Sequence, residues 1–146
     1  MDIDIYFQPI KPLDYSRKTL GYLTDFHTED NFPFWEESDI AIIGVNEDRG
    51  TYSNKGCGVG SDAIRAELFG LFHHNKNIKI CDLGNIFPGA KVEDTYHAVS
   101  DVIQNLLKKN VFVIILGGSQ DITFANYKAY EKLEQTVNLV SIDSKF

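Results

Sequence analysis

The sequence has little cysteine and no excess of basic charge. Only two of its 146 residues are cysteines, Cys57 and Cys81, and they do not form a Cys-x-x-Cys pair. Two such cysteines are typical of reduced thiols in a cytoplasmic protein, and a single disulfide is the alternative. Asp and Glu outnumber Lys and Arg by 21 to 14, which gives a net charge of −7. That balance argues against nucleic-acid binding, which usually needs a basic face.

Long apolar runs are also absent. No stretch approaches the roughly 20 apolar residues of a membrane-spanning helix. The first residues, MDIDIYFQPIKP, have neither the basic start nor the apolar core of a signal peptide. We therefore expect a cytoplasmic protein without a membrane partner. The chain does contain 43% apolar and 24% charged residues, which suits one globular domain with a sizeable core.

Residues 1–38 differ in character from the rest of the chain. Three prolines and Gly21 interrupt any regular pattern, and aromatic residues are concentrated at positions 32–35. Because so dense a group of aromatics rarely stays in water, we expect this segment to be an irregular N-terminal arm. It should pack on a domain formed by residues 39–146.

From residue 39 onward, short apolar runs alternate with helical patterns. Continuous apolar runs indicate strands that are covered on both faces, and apolar residues at helical spacing indicate helices. The predicted strands are residues 40–45, 78–83, 111–116 and 139–143, and the predicted helices begin at Ser61 and span residues 92–109 and 122–133. Alternation of this kind builds parallel βαβ units. The expected class is α/β, with three α/β/α layers around a mostly parallel sheet.

The first of these helices carries a detailed expectation. Ser61 should act as its N-cap, and Ile64, Leu68, Leu71 and Phe72 recur at helical spacing. The pattern therefore predicts that these four apolar side chains form the buried face of the helix.

Two motifs point only weakly to a ligand. The glycine-rich segment 56–60 precedes a helix, but it lies well beyond the preceding strand and lacks the spacing of a dinucleotide-binding loop. Asp94, His97 and Asp101 fall on one face of a predicted helix, as metal ligands can. A solvated polar face explains these three residues better.

The segment 117–123 (GGSQDIT) is a more specific candidate. Two glycines directly after a buried strand allow a tight turn and the close approach of a ligand. Ser119 or Asp121 is expected to be the N-cap of the following helix. The pattern alone leaves a ligand site and a plain strand-to-helix turn about equally open.

The last residues form a second polar cluster. In an extended chain Ser141, Asp143 and Lys145 share one side, and Ile142 faces the other. A carboxylate at the end of an apolar strand needs a cation or hydrogen-bond donors. Asp143 is therefore the strongest single candidate for function, with an ion pair to Lys145 at the sheet edge as the structural alternative.

Four segments together resemble the ureohydrolase family of arginases, agmatinases and formimidoylglutamases, and most of all its formimidoylglutamase-like members. They follow the family's order and are residues 58–65 (GVGSDAIR, without the family's proline), 81–86 (CDLGNI), 116–123 (LGGSQDIT) and 141–145 (SIDSK). The resemblance covers the chain from about Asp39 onward. It implies an arginase-like fold. Because no helix follows the last predicted strand, we expect the chain to be the N-terminal portion of that fold.

The resemblance also implies a chemistry. Family members hold two manganese ions at the C-terminal ends of parallel strands, where the ions activate water to hydrolyse a linear amidine and release urea or formamide. Asp143 falls on an aspartate ligand, whereas Gln120 and Lys145 stand at positions of histidine ligands. An amide is a weaker ligand than imidazole, and an ammonium has no lone pair. We hypothesise that the Lys145 ammonium replaces one metal charge by pairing with Asp143.

Two functions follow as hypotheses. The chain is part of a formimidoylglutamase-like manganese hydrolase of a small amidine substrate, inactive as residues 1–146 alone. The alternative is a non-catalytic relative that keeps the fold for binding or assembly. In either case an unfinished sheet would expose an open edge and apolar surface, so we expect a homo-oligomer.

Overall fold

A five-stranded sheet lies at the centre of the computed structural model, which describes residues 2–74, 77–134 and 136–142. The strands are β1 (Phe7–Gln8), β2 (Thr24–Phe26), β3 (Ile40–Val45), β4 (Ile80–Ile86) and β5 (Phe112–Leu116). Strand order is β1-β4-β3-β5, and β2 pairs with the same strand, β4, as β1 does. All pairs are parallel except β1 with β4. The expected mostly parallel sheet is confirmed.

Helices cover both faces of this sheet. They are α1 (Leu20–Leu23), α2 (Gly60–Leu68), α3 (Val92–Lys108) and α4 (Ile122–Lys132). Side chains of α3 and α4 share one buried apolar cluster with alternate residues of β3 and β4. On the opposite face, Ile42 and Leu116 pack with Phe69, which directly follows α2. The three-layer α/β/α arrangement is therefore confirmed. Within the described residues, none of the helices is both long and apolar enough to cross a membrane.

Helix α3 supplies much of the larger core. Val99, Ile103 and Leu106 recur at helical spacing, and all three are completely buried. Burial of one such side chain contributes about 1.5–3 kcal/mol, so this face anchors the helix to the sheet. Asn110 follows the helix with φ of 60°, the left-handed conformation that Asn or Gly adopts after a helix C-terminus.

The segment before residue 39 takes part in the sheet. β1 pairs with the C-terminal end of β4 through Phe7 and Ile86, and β2 pairs with its N-terminal half. The prediction of an irregular segment is wrong for these residues. Strands of two and three residues are too short to show the alternation by which a strand is recognised.

Helix α2 presents a different face from the one predicted. Ser61 lies inside the helix rather than at its N-cap, which is Val59. Ile64 is 44% exposed, and Leu71 and Phe72 lie beyond the helix and are also exposed. Of the four predicted residues, only Leu68 packs, partly buried, against the core. The buried positions on α2 are instead Ser61 and Arg65. A polar face is buried here because partners distant in the sequence satisfy its hydrogen bonds.

The strand predicted at residues 139–143 is not found in its described part. Leu139, Val140 and Ile142 are all exposed, and Ile142 is completely so. Residues 139–142 belong to no strand or helix. An apolar run forms a strand only where a neighbouring strand pairs with it, and none of the described strands does so here.

Candidate functional site

The loops that follow β3 and β5 meet at the C-terminal edge of the sheet. The Ser119 amide donates a hydrogen bond of 2.9 Å to the Glu47 carbonyl oxygen. Gly117 and Gly118 have φ of 73° and 80°, which favours glycine. A Cβ at Gly117 would lie 2.8 Å from the Ser61 amide nitrogen. The two glycines therefore make the tight turn that the sequence predicted.

Gln120 and Asp121 border a cavity at this edge. The cavity has a volume of about 430 Å³, and its wall is completed by the loop residues 50–53. Gln120 is exposed and also lines a neighbouring cavity of about 380 Å³ beside β5 and α4. Both hollows are open to solvent rather than enclosed. Because polar groups converge here and parallel α/β sheets bind ligands at this edge, this edge is the candidate site.

Asp121 is the N-cap residue of α4, but its side chain makes no capping hydrogen bond. Its Oδ2 atom instead accepts a hydrogen bond from the Tyr96 hydroxyl on α3. Its Oδ1 atom is buried and has no hydrogen-bond partner among the described residues. Burial and the bond to Asp121 raise the pKa of Tyr96, so the phenol stays protonated and remains a donor. The alternative prediction, that Ser119 is the N-cap of this helix, is wrong.

Glu47, directly after β3, is buried and holds two loops together. Its carboxylate accepts hydrogen bonds of 2.9 Å from Arg49 Nε and from the Thr95 hydroxyl on α3. Arg49 also donates to the carbonyl oxygens of Gly89 and Ala90 in the loop after β4. The hydrogen bonds from Arg49 lower the pKa of Glu47 from 4.5 to about 2, although burial opposes them. The carboxylate therefore stays charged and fixes the base of the loop that carries residues 50–53.

A second polar network lies on the opposite face of the sheet. Arg65 on α2 donates to both carboxylate oxygens of Asp82 on β4, at 2.7 and 2.9 Å, and to Asn85 Oδ1 at 2.6 Å. Its other bonds reach Asp62 and the Gly84 carbonyl oxygen. Desolvation raises the pKa of Asp82, and the bonds from Arg65 counter that rise. This arginine is engaged by protein acceptors on every N–H group, so it is a structural residue.

The predicted metal ligands are only partly described. Asp143 and Lys145 lie outside the described residues, and so does the hypothesised ion pair between them. Ser141 is described and exposed. Gln120 lies at the C-terminal edge of β5, where the sequence placed it, with a neutral amide as its only ligand group.

The described residues do not fit a manganese site. Within ranges 2–74, 77–134 and 136–142, no three His, Cys, Asp or Glu side chains come together to hold a metal ion. The polar face at Asp94 and His97 is exposed, as predicted, and Asp101 accepts a hydrogen bond of 3.0 Å from the Tyr6 hydroxyl. A metal centre in this protein would need ligands beyond those described.

The sequence did not predict the roles of three polar residues in these networks, namely Glu47, Tyr96 and Arg65. Glu47 has the same signal as Asp143, a carboxylate at the end of an apolar strand, but only Asp143 was a candidate from the sequence. Tyr96 carries no local signal, because its partner Asp121 lies 25 residues away. Arg65 and Asp82 lie in two of the segments that resemble the family, but no local pattern pairs them across 17 residues.

Comparison with known proteins links this geometry to a family. Residues 38–145 match the family model described as the Arginase family. The formimidoylglutamase of Macrococcus caseolyticus is 34% identical over 117 residues, which are 76% of this chain and 37% of that protein. The formimidoylglutamase of Streptococcus gordonii is 29% identical over 119 residues, with 76% and 36% covered. The chain thus spans a little over a third of the length of these relatives.

A solved structure shares the fold. The crystal structure of Trypanosoma cruzi formiminoglutamase with Mn²⁺ superimposes with a TM-score of 0.62 at 25% sequence identity. The match covers 66% of this chain and 36% of the other. The expected arginase-like architecture is therefore confirmed for the part of the chain that aligns.

Proposed function

Because this chain belongs to the arginase family, we propose that the complete protein is a formimidoylglutamase-like hydrolase of linear amidines. The proposal includes a manganese centre to which Asp143 contributes, with Gln120 and Lys145 at positions where the family has histidine. Residues 1–146 alone are inactive in this proposal, since too few metal ligands come together in the described part of them. We also propose that residues 1–38 act as an arm on the domain that begins at residue 39, to whose sheet the arm adds β1 and β2.

The observation that carries the proposal is the position of Gln120. It lies on the glycine turn after β5, at the C-terminal edge of the sheet, and borders two cavities. Parallel α/β sheets bind their ligands at this edge. A polar cavity beside the family's ligand position supports a small-molecule substrate there.

The proposed reaction cleaves one C–N bond with water. The water oxygen adds to the amidine carbon, and the bond from that carbon to the substituted nitrogen breaks. This nitrogen takes up a proton and leaves as an amine, so that a formimidoyl substrate releases formamide. General acid–base catalysis supports such proton transfers at neutral pH.

Manganese content and hydrolysis together test the proposal. The product of the complete gene would be purified with manganese present, and bound metal would be counted by elemental mass spectrometry. Formamide release from N-formimidoylglutamate would be followed in parallel, with residues 1–146 as the comparison. We expect bound manganese and turnover in the complete protein, and neither in residues 1–146. A complete protein without metal and without turnover would support the non-catalytic alternative.

A pair of variants tests the role of Gln120 separately. Gln120→His restores the family's ligand type, so the complete protein should retain more manganese after dialysis. Gln104→His makes the same change on α3 and should leave retention unchanged. Equal retention in both variants would show that position 120 does not contact the metal.

A further inference from the structure

The main-chain carbonyl group of Glu47 holds the turn that carries Gln120. The Ser119 amide donates to this oxygen at 2.9 Å, and the Ser119 hydroxyl lies 3.4 Å from it. A Cβ at Gly118 would also lie 3.4 Å from the same oxygen. Ser119 is buried, and Gln120 is the next residue of the turn. The position of one carbonyl group therefore helps to fix the position of Gln120.

The side chain of Glu47 holds the loop after β4. Its carboxylate accepts hydrogen bonds of 2.9 Å from Arg49 Nε and from the Thr95 hydroxyl. Arg49 in turn donates to the carbonyl oxygens of Gly89 and Ala90, at 2.8 and 3.0 Å. The Thr95 hydroxyl accepts a bond of 2.9 Å from the Gly89 amide. The two side chains that bind the carboxylate therefore also bind the loop after β4.

These contacts leave the Glu47 side chain little freedom to move. It is 1% exposed, and a buried carboxylate is stable only where hydrogen-bond donors meet it. The Arg49 guanidinium bonds to both carboxylate oxygens, and its planar arrangement of N–H groups fixes their geometry. A displacement of this side chain would therefore also move the Glu47 main chain, to which Ser119 is bonded.

The three loops joined in this way follow β3, β4 and β5 and meet at the C-terminal edge of the sheet. Parallel α/β sheets bind their ligands at this edge. Reacting groups must be held closely in place, since a misplacement of about 1 Å can reduce a reaction rate by about 100-fold. A residue that contacts all three loops can set their relative positions.

From these observations we propose that Glu47 is a positioning residue of the candidate site, which fixes the Gln120 turn relative to the loop after β4. The inference rests on the proposed function for the reaction that takes place at this edge. Glu47 acts through its neighbours and does not contact the substrate. Its carboxylate acts through Arg49 and Thr95, and its carbonyl group acts on Ser119. The loop after β4 thereby becomes part of the candidate site.

Thr95 offers a test that leaves Glu47 and Ser119 unchanged. Thr95→Val keeps the shape of the side chain but removes the hydroxyl, whereas Thr95→Ser keeps the hydroxyl. Amide hydrogen exchange of residues 1–146 would be followed by two-dimensional NMR. The Phe112 amide is the internal reference, because it donates to the Asp39 carbonyl oxygen at the opposite end of β3. Relative to Phe112, the Ser119 amide should exchange at least about tenfold faster in Thr95→Val and less than about threefold faster in Thr95→Ser.

Three results of this experiment would overturn the inference. Equal acceleration of Ser119 and Phe112 would indicate a general loss of stability rather than a local release of the turn. An unchanged Ser119 amide in Thr95→Val would show that the side chain of Glu47 does not control the turn. Equal acceleration of Ser119 in Thr95→Val and Thr95→Ser would show that the hydroxyl contact is not the cause.

Glu47→Gln tests the carboxylate itself in the complete protein. Turnover of N-formimidoylglutamate would be measured per folded molecule, with the folded fraction taken from circular dichroism. We expect kcat to fall by at least about tenfold while KM changes less than about threefold, because positioning affects the reacting groups more than substrate binding. Glu67→Gln makes the same change at an exposed position on α2 and should preserve both constants. A raised KM with an unchanged kcat would mean that Glu47 contributes to binding instead.

The two proposals fail in distinguishable ways. Selective release of the Ser119 amide, in a protein whose complete form hydrolyses no amidine, would support the coupling of the loops and exclude the proposed function. Hydrolysis by the complete protein that is unaffected by Glu47→Gln would exclude the positioning role alone.

Discussion

Arg65 shows how a single charged residue becomes part of a protein interior. It is 5% exposed and donates to both oxygens of Asp82, a residue that is completely buried. A buried pair of this kind contributes little relative to apolar packing, but removal of one partner leaves the other charge unpaired in a low-dielectric setting. The network therefore makes both residues hard to replace singly.

Asp82→Asn should destabilise the fold strongly. The change leaves the buried Arg65 guanidinium with only the exposed Asp62 carboxylate as a counter-charge, so the free energy of unfolding should fall by about 3–5 kcal/mol. Urea unfolding followed by circular dichroism measures the loss. Glu131→Gln is the matched control, because it breaks an ion pair with Lys128 that is partly exposed and should cost less than about 1 kcal/mol. Similar losses in both variants would refute the argument.

Glu47 should make the free energy of unfolding depend on pH in the acid range. Its folded pKa of about 2 lies below its ordinary value of 4.5, so its ionised form is favoured in the folded protein. This stabilisation is fully present above pH 4.5 and is lost as the pH falls from 4.5 towards 2. Glu47→Gln should lower stability at pH 7 by about 1–3 kcal/mol, because Arg49 and Thr95 lose a charged acceptor.

Urea unfolding across this pH range measures the Glu47 contribution. Wild type should lose stability more steeply between pH 4.5 and 2 than Glu47→Gln does. Glu93→Gln removes an exposed carboxylate and should keep the wild-type slope. Parallel curves for wild type and Glu47→Gln would show that another group causes the acid sensitivity.

At the scale of elements, the sequence predicts best where a local pattern and tertiary packing agree. Residues 40–45 form β3 as predicted, because a strand buried on both faces is apolar throughout. The predicted strand 78–83 is found as Ile80–Ile86. The apolar run ends at Leu83, but the strand continues because Asn85 and Ile86 pair with β3 on one side and with the short β1 on the other. No local pattern signals that pairing.

Helix α2 and the site show the opposite case. The apolar spacing of Ile64 and Leu68 indicated a buried face, yet only Leu68 packs, partly buried, against the core. Arg65 is buried because Asp82 supplies a partner from β4. The glycine turn and the edge position of Gln120 were predictable, since strand ends and glycines are local signals. The contact of Tyr96 with Asp121 was not, because it depends on how α3 packs on α4.

Gly44 on β3 offers a test at this scale. A Cβ there would overlap Asn85 Oδ1 and lie 2.9 Å from Arg65 Nη1. Gly44→Ala should therefore displace the network between α2 and β4 and cost about 1–3 kcal/mol. Gly60→Ala is the control, because Gly60 has helical φ and ψ and open space around its Cβ position.

Thermal unfolding compares the two glycine variants. Gly60→Ala should stabilise the protein by up to about 1 kcal/mol, since alanine loses less backbone entropy on folding. The melting temperature should therefore fall in Gly44→Ala and rise or stay constant in Gly60→Ala. If the melting temperature fell in neither variant, the network would have shifted without a loss of stability.

At the scale of the whole molecule, none of the described strands covers the β5 side of the sheet. β5 pairs with β3 on one side and with no other described strand, and Phe112 at its start is 66% exposed. Leu139, Val140 and Ile142 add exposed apolar surface elsewhere. Open edges and apolar patches favour association, which supports the proposed homo-oligomer.

Self-association of residues 1–146 should respond to a charge at this edge. Sedimentation velocity over a range of concentrations should show oligomers in wild type and fewer of them in Phe112→Lys, since lysine at an edge strand opposes pairing. Tyr52→Lys places the same charge on a fully exposed loop residue away from β5. An equal reduction by both variants would indicate a general charge effect, and monomers at all concentrations would exclude the open edge as an interface.

The same sheet should determine the folding rate of the chain. Ile40 pairs with both Ile80 and Phe112, and Phe7 pairs with Ile86, so each partner must be found across a long stretch of chain. Loop-closure entropy is lost before such contacts form, and proteins dominated by them refold in milliseconds to seconds rather than microseconds. Trp35, the single tryptophan, packs against the core that this pairing creates. Its stopped-flow fluorescence should therefore report a slow, late step of folding. Until that step is complete, unpaired strands of one chain can pair with those of a neighbouring chain.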